Sequence, residues 1–275
     1  MKQIIVPTDF SENAFKAAIL AVSLAEDINA TVSLLHAYQG FQSGFQSDKT
    51  NLEDENRSRE EAEREMDLFV KKLRESNQID IEGKCVEGTL LSAIERIEDD
   101  QNKTIIVMGT TGAKGLKYHL IGSNTLYIAK RTDLPLFTVP FGTEHFKLKK
   151  IAVFTDYKEE DKKNLANVIT IFGSSELSYQ LFHIHESDTA PQKEDFEKLE
   201  KWAEELKSIC GIKKLTFELI EGKENAALVD EIVERGDIDL LTLTMLEQNF
   251  WDNLFEKSLA KAIILQGKAP VFIQH

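Results

Sequence analysis

The sequence predicts an α/β fold written twice in tandem, and three observations support this. Short apolar or β-branched runs alternate with helical patterns, the arrangement that builds a parallel sheet covered by helices on both faces. Ile105-Ile106-Val107-Met108 and Leu240 to Leu243 are almost wholly apolar, as strands buried on both sides tend to be. The second half of the chain also repeats the first, segment by segment.

Taken in order, Ile4-Ile5-Val6-Pro7-Thr8-Asp9-Phe10 reads as a strand running into a loop and returns as Ile151-Ala152-Val153-Phe154-Thr155-Asp156-Tyr157. A helix is expected to begin near Ser11 to Ala14, with Asp9 as a candidate cap. Leu34-Leu35-His36 is the second strand and returns as Leu181-Phe182-His183. Copy one then carries a segment with no match, Gly40 through Asn56, rich in Gln, Ser, Asp and Asn. It reads as a disordered or mobile loop, with a lid over a ligand as the alternative. A charged helix follows from about Arg57 to Arg74, and its stripe of Met66, Phe69, Val70 and Leu73 is spaced to pack on a sheet. Val86-Glu87-Gly88 and Ile220-Glu221-Gly222 each precede a short amphipathic helix, marked by Leu90, Leu91, Ile94 and Ile97 in one copy and by Leu228, Ile232 and Val233 in the other. Leu134-Pro135-Leu136-Phe137 closes copy one and returns as Ala269-Pro270-Val271-Phe272. The join near Phe141 to Lys149 gives expected domains of 1–142 and 148–275.

Composition narrows the function. The 275 residues, 42% of them hydrophobic, can supply the cores of two ordinary domains. Lys plus Arg total 33 against 47 Asp plus Glu, a formal charge of −14 that repels a nucleic-acid backbone. Lys147, Lys149 and Lys150 read as a solvated linker and not as a basic patch. No apolar run approaches the roughly 20 residues of a membrane span, and the first strand begins without a basic leader, so neither membrane nor export is expected. Cys85 and Cys210 form no CxxC motif and no framework, which suggests reduced thiols and a cytoplasmic setting.

The most informative stretch is Gly109-Thr110-Thr111-Gly112, nine residues, then Gly122-Ser123. It follows the strand ending in Met108, and the carboxyl ends of parallel strands are where such folds bind ligands. Glycine permits positive φ and close approach of a ligand to backbone, and a helix opening at Ser123, Asn124 and Thr125 would leave N–H groups facing the loop. A plain turn followed by a capped helix is the competing interpretation.

This Gly-x2-Gly-x9-Gly-Ser spacing resembles the nucleotide-binding signature of the universal stress protein family. The flanking strands, the Pro7-Thr8-Asp9 loop and Leu34-Leu35-His36-Ala37 are similar to that family as well. The resemblance implies two Rossmann-like or flavodoxin-like domains, each a five-stranded parallel sheet. It further implies that copy one binds ATP or another adenine nucleotide, with Mg as an optional companion. The residues carried over are Pro7, Thr8, Asp9, Ala37, Met108, Gly109, Thr111, Gly112, Gly122, Ser123, Asn124 and Thr125. Asp9 could accept from ribose hydroxyls or the adenine amine, or it could serve only as a cap. Paired domains in the family meet along the last strand, which here would be Phe137-Thr138-Val139 and Val271-Phe272-Ile273; a homodimer is a further option.

Copy two departs from the signature. In register, Thr244 stands opposite Gly109, Glu247 opposite Gly112, and Lys257-Ser258 opposite Gly122-Ser123. Side chains and a negative charge there oppose a phosphate, so copy two is expected to be a non-binding partner, with Phe250, Trp251, Leu254 and Phe255 filling the cleft, covering an interface or serving ordinary helix packing. Lys114 and His119 are read as loop residues, and His183-x-His185 as structural because no third metal ligand accompanies it. No P-loop and no Gly-x-Gly-x2-Gly after the first strand is present. Without a nucleophile–base pair or an adenylating motif, the expected role is a stress-response sensor or regulatory module. Slow ATP hydrolysis and a nucleotide-free scaffold stay open as alternatives.

Overall fold

The computed structural model describes residues 2–40, 48–75, 79–97, 103–110, 122–140, 143, 146–186, 189–244 and 258–274, without the side chains of Asp48 and Ser258. Copy one runs β1 (Lys2–Pro7), α1 (Glu12–Ile28), β2 (Ala30–Tyr38), α2 (Asp48–Arg74), β3 (Ile81–Glu87), α3 (Leu90–Ile97), β4 (Thr104–Gly109), α4 (Ser123–Ala129) and β5 (Leu136–Val139). Copy two repeats the order as β6 (Lys150–Phe154), α5 (Glu159–Phe172), β7 (Ser178–His185), α6 (Lys193–Cys210), β8 (Leu215–Glu221), α7 (Ala226–Gly236), β9 (Leu240–Thr244), α8 (Ser258–Leu265) and β10 (Val271–Gln274). The α/β class and the alternation read from the sequence are both present.

Contacts divide the described chain into two compact units, with Phe137 onward grouping with copy two. In the first unit the strands lie in the order β3-β2-β1-β4. The pairing is parallel, with Ile4 opposite Val32 and Ile105, and Leu34 opposite Gly83. The strand order doubles back at β1, so the carboxyl ends of β1 and β4 face a crevice between outgoing loops. β1 and β4 are buried along almost their whole length, which explains their unbroken apolar sequence. In the second unit the order is β10-β9-β6-β7-β8, again parallel.

α1 shows why the chain turns helical after β1. Ser11 is its N-cap and its Oγ accepts from Ala14 N at 3.2 Å, satisfying one otherwise unpaired donor. Ala17, Ala18, Leu20, Ala21, Val22, Leu24 and Ala25 then bury a continuous face of small and apolar side chains. Asn29 ends the helix in the left-handed region at φ 54°, a conformation Asn tolerates better than most residues.

α2 corrects the sequence reading. It begins at Asp48, nine residues before Arg57, so most of the Gly40–Asn56 segment read as a mobile loop is helix; residues 41–47 lie outside the described residues. The first turns carry no apolar face, only polar side chains and Leu52 at 57% exposure, and so gave no periodic signal. Further along, the stripe of Met66, Phe69, Val70 and Leu73 is buried as expected. The helix packs so close to β3 that a Cβ on Gly83 would stand 2.6 Å from Met66 Cγ.

Candidate functional site

The turn leaving β1 is built from a strained residue held on two sides. Phe10 has φ 60°, costly for an aromatic side chain. Its N–H donates to Thr8 Oγ1 at 2.9 Å, and its ring stacks 4.4 Å from that of His36. His36 Nδ1 lies 2.8 Å from the Thr8 carbonyl oxygen, so that nitrogen carries the proton and donates. Asp9 follows the same turn. Its Oδ1 accepts from Ser11 N at 3.1 Å, while Ser11 itself caps α1. Asp9 is exposed and has acceptor capacity to spare.

The second unit repeats this turn almost atom for atom. Tyr157 has φ 61°, its N–H donates to Thr155 Oγ1 at 3.0 Å, and its ring lies 4.4 Å from that of His183. His183 Nδ1 meets the Thr155 carbonyl at 2.8 Å, and His185 Nε2 meets the Thr189 carbonyl at 3.2 Å. Both histidines are thus engaged with backbone, and no group of three or more metal-ligating side chains exists among the described residues.

A cavity of about 210 Å³ opens beside the first turn, at the carboxyl ends of β1 and β4. It brings together Pro7, Thr8, Asp9, Ala37, Met108, Gly109, Gly122, Ser123, Asn124 and Thr125, residues separated by up to 118 positions in sequence (125 − 7). Thr111 and Gly112 lie outside the described residues, as do Lys114 and His119. The lining also includes Ser11, Asn13, Ala14, His36 and Leu90, which sequence reasoning did not assign to the site. The repeat held a signal for one of them, His36, since it recurs as His183 beside the matched pairs Thr8/Thr155 and Phe10/Tyr157.

Gly109 proves to be glycine for a reason other than positive φ. It does not adopt the left-handed region; a Cβ there would stand 2.5 Å from Asn13 Nδ2 and 3.1 Å from Asn13 Cγ. Its carbonyl accepts from Thr125 Oγ1 at 2.9 Å, joining the end of β4 to the start of α4. Gly122, the N-cap of α4, also has negative φ (−59°), and its N–H donates to the Thr110 carbonyl. The first intrahelical bond is Leu126 N to Gly122 O, so the N–H groups of Ser123, Asn124 and Thr125 have no partner among the described residues. The cleft therefore offers an apolar floor, one carboxylate and a row of open donors. Three of its hydroxyl groups serve structure, those of Thr8, Ser11 and Thr125 each making a hydrogen bond within the unit, and no nucleophile is paired with a base among the described lining residues.

Neither thiol lies in this cleft. Both cysteines are free, and burial, reinforced by Glu63 and Asp67, pushes the Cys85 thiol up to about 11. No helix among the described residues is long and apolar enough to cross a membrane.

Parallel β-sheet units of this order, with a cleft at a topological switch point, define a doubly wound α/β class. The description "Universal stress protein family" matches residues 1–140, just over half of the chain (140/275), and the chain belongs to that family. A universal stress protein of Methanocaldococcus jannaschii is 28% identical over 138 residues, covering 50% of this chain and 81% of its own. A second from the same organism is 29% identical over 154 residues, covering 50% and 94%. The crystal structure of a universal stress protein from Archaeoglobus fulgidus DSM 4304 aligns over 99% of this chain and 96% of its own, at TM-score 0.66 and 18% identity, and shares the fold.

Proposed function

We propose that copy one, 1–142, binds an adenine nucleotide, ATP or a close relative, and that the chain works as a cytoplasmic sensor or regulatory module of the stress response. The observation that carries this reading is the cleft. In a member of this family, it gathers ten of the twelve residues that the signature names, with open N–H donors on one side and Asp9 on the other. Gly109, Gly112, Gly122 and Ser123 to Thr125 would take the phosphates, and Asp9 the ribose or the adenine amine. A Mg ion would ride on the phosphate oxygens and water, since Asp9 is the one carboxylate among the cleft's described lining. With no nucleophile paired with a base among its described lining residues, the cleft suits binding better than catalysis, and any hydrolysis would be slow. Copy two, 148–275, is proposed as the intrachain partner through the β5 and β10 segments, with a homodimer as a further association.

Mass spectrometry of the small molecule that co-purifies with the chain tests the reading without presuming a ligand. Calorimetry should then find one nucleotide per chain; two equivalent sites would refute the assignment to copy one. Gly112→Val should abolish binding without lowering the melting temperature, whereas Glu247→Gly should create no second site. Undiminished binding by a stably folded Gly112→Val chain would move the phosphate elsewhere, and no binding of any nucleotide by the parent would leave the scaffold reading.

A further inference from the structure

The second unit has a cavity of its own, about 350 Å³, at the carboxyl ends of β6 and β9 against α5 and α8. Much of its wall is apolar, formed by Val153, Leu165, Val168, Leu243, Leu259 and Ile263. Its polar groups are not those of the first cleft. In register, Asp161 stands where copy one has Ala14, Asn164 where it has Ala17, Thr244 where it has Gly109, and Gln274 where it has Val139. Small or apolar positions have become a carboxylate, two carboxamides and a hydroxyl, all lining the cavity.

These groups form a built wall. Gln274, 3% exposed, donates from Nε2 to the Asn164 carbonyl at 3.0 Å and to Thr244 Oγ1 at 3.1 Å. Asp161 accepts from Thr155 Oγ1 at 2.5 Å and Lys158 N at 3.2 Å. The side-chain amide of Asn164 has no hydrogen-bond partner among the described residues; the bond from Gln274 goes to its backbone carbonyl. Among the described lining residues Asp156 is paired with the Lys158 ammonium, 3.4 Å from its Oδ2, and Glu224 has a partner of its own, which leaves Asp161 as the carboxylate turned to the cavity without a cation beside it. The Asp161 carboxylate repels an anion and favours a cation. Leu259 and Ala260 replace Asn124 and Thr125, so the side-chain donors and acceptors of the first cleft are absent at those two positions. Burial pushes the Asp161 carboxyl up, against its hydrogen bonds, and an ammonium beside it would relieve that cost.

We infer that this cavity is a binding site for a small amine with an apolar body, its ammonium toward Asp161 and Asn164 and its body against Leu165, Leu259 and Ile263. Copy two is then a ligand-binding domain of changed chemistry and not a relic of the first. The inference is independent of nucleotide binding by copy one.

Three probes with one ring and different end groups test it: phenethylamine, 2-phenylethanol and phenylacetate, titrated into the full chain and followed by saturation-transfer NMR and calorimetry. Phenethylamine should bind about tenfold or more tighter than the alcohol, and phenylacetate should not bind. Asp161→Asn should bring amine and alcohol within about threefold of each other. Ala260→Leu, which adds bulk to a cavity wall 6% exposed, should remove both. Asn164→Leu serves the same end if Ala260→Leu melts below the assay temperature. Saturating ATP should leave amine binding unchanged. No binding of phenethylamine, a preference for phenylacetate, displacement by ATP, or undiminished amine binding in a folded cavity-filled variant would each overturn the inference.

Discussion

Gly109→Ala tests whether space, and not backbone freedom, dictates glycine at the end of β4. The new methyl would begin 2.5 Å from Asn13 Nδ2, 3.1 Å from Cγ and 3.3 Å from Oδ1. Ordinary carbon contacts start near 3.5 Å, so the amide must retreat by about 1 Å. Asn13 lies in the first turn of α1 at 8% exposure, and Gly109 is held from the other side by the Thr125 hydroxyl, so neither partner yields freely. Overpacking of this kind costs roughly 1–3 kcal/mol, equivalent to about 3–10 °C of melting temperature for a unit of this size. Both tryptophans, Trp202 and Trp251, lie beyond Phe137 in sequence, so indole fluorescence follows the second unit while far-ultraviolet circular dichroism follows both. The expected result is a downward shift in the dichroism transition that fluorescence does not share. Combining Gly109→Ala with Asn13→Ala should cost less than the sum of the single changes by about 1 kcal/mol or more. A Gly109→Ala chain within about 0.5 kcal/mol of the parent, or an additive cycle, would refute the steric argument.

Three further outcomes follow from the geometry. Thr8→Val removes the acceptor for Phe10 N in a buried position and should destabilise the first unit by about 1–2 kcal/mol in urea melts, with Thr8→Ser largely restoring it. Thiol titration of the native, unreduced chain should find Cys85 reacting slowly at neutral pH, because burial holds it near 11, with two thiols counted after denaturation; fast native labelling would contradict the burial. The third concerns Asp239, whose Oδ2 accepts from Lys149 N at 2.8 Å and Lys150 N at 2.7 Å, yet whose carboxyl is pushed above 3.8 chiefly by burial. The native state therefore binds this proton more tightly than the unfolded chain, and the parent should lose stability relative to Asp239→Asn as pH rises from below 3.8 through the folded value, then run parallel to it. Melting curves of the two proteins that stay parallel across that acid window would show the shift to be absent.

Why some features were legible and others not comes down to how locally each is encoded. β1 and β4 are buried on both faces, so their sequences had little choice but to be apolar, and they were visible at once. The stripe from Met66 to Leu73 was equally plain, because one packed face imposes a helical period. The start of α2 was hidden. Its first turns show polar contacts such as an exposed Lys49–Glu53 pair at 3.8 Å and a Ser58 hydroxyl donating to the Asp54 carbonyl, neither of which leaves a hydrophobic period. Asn13 and His36 were missed in the cleft for a different reason. Asn13 matters because it occupies the volume a Cβ on Gly109 would need, and His36 because it reaches Thr8 across neighbouring strands, relations that exist only once α1, β2 and β4 are assembled.

The duplicated turn of threonine, left-handed aromatic and histidine bears on binding kinetics and affinity. In each copy the unfavourable φ is held by bonds within the protein: a side-chain oxygen beneath the amide and an imidazole against the ring. One wall of each cavity is thus preorganised before any ligand arrives, and an incoming molecule is spared the entropy of ordering it. The two copies could therefore diverge in ligand while keeping the same starting rigidity. A substitution that loosens the turn should weaken whatever binds beside it through slower capture or faster release, even where the altered side chain never touches the ligand.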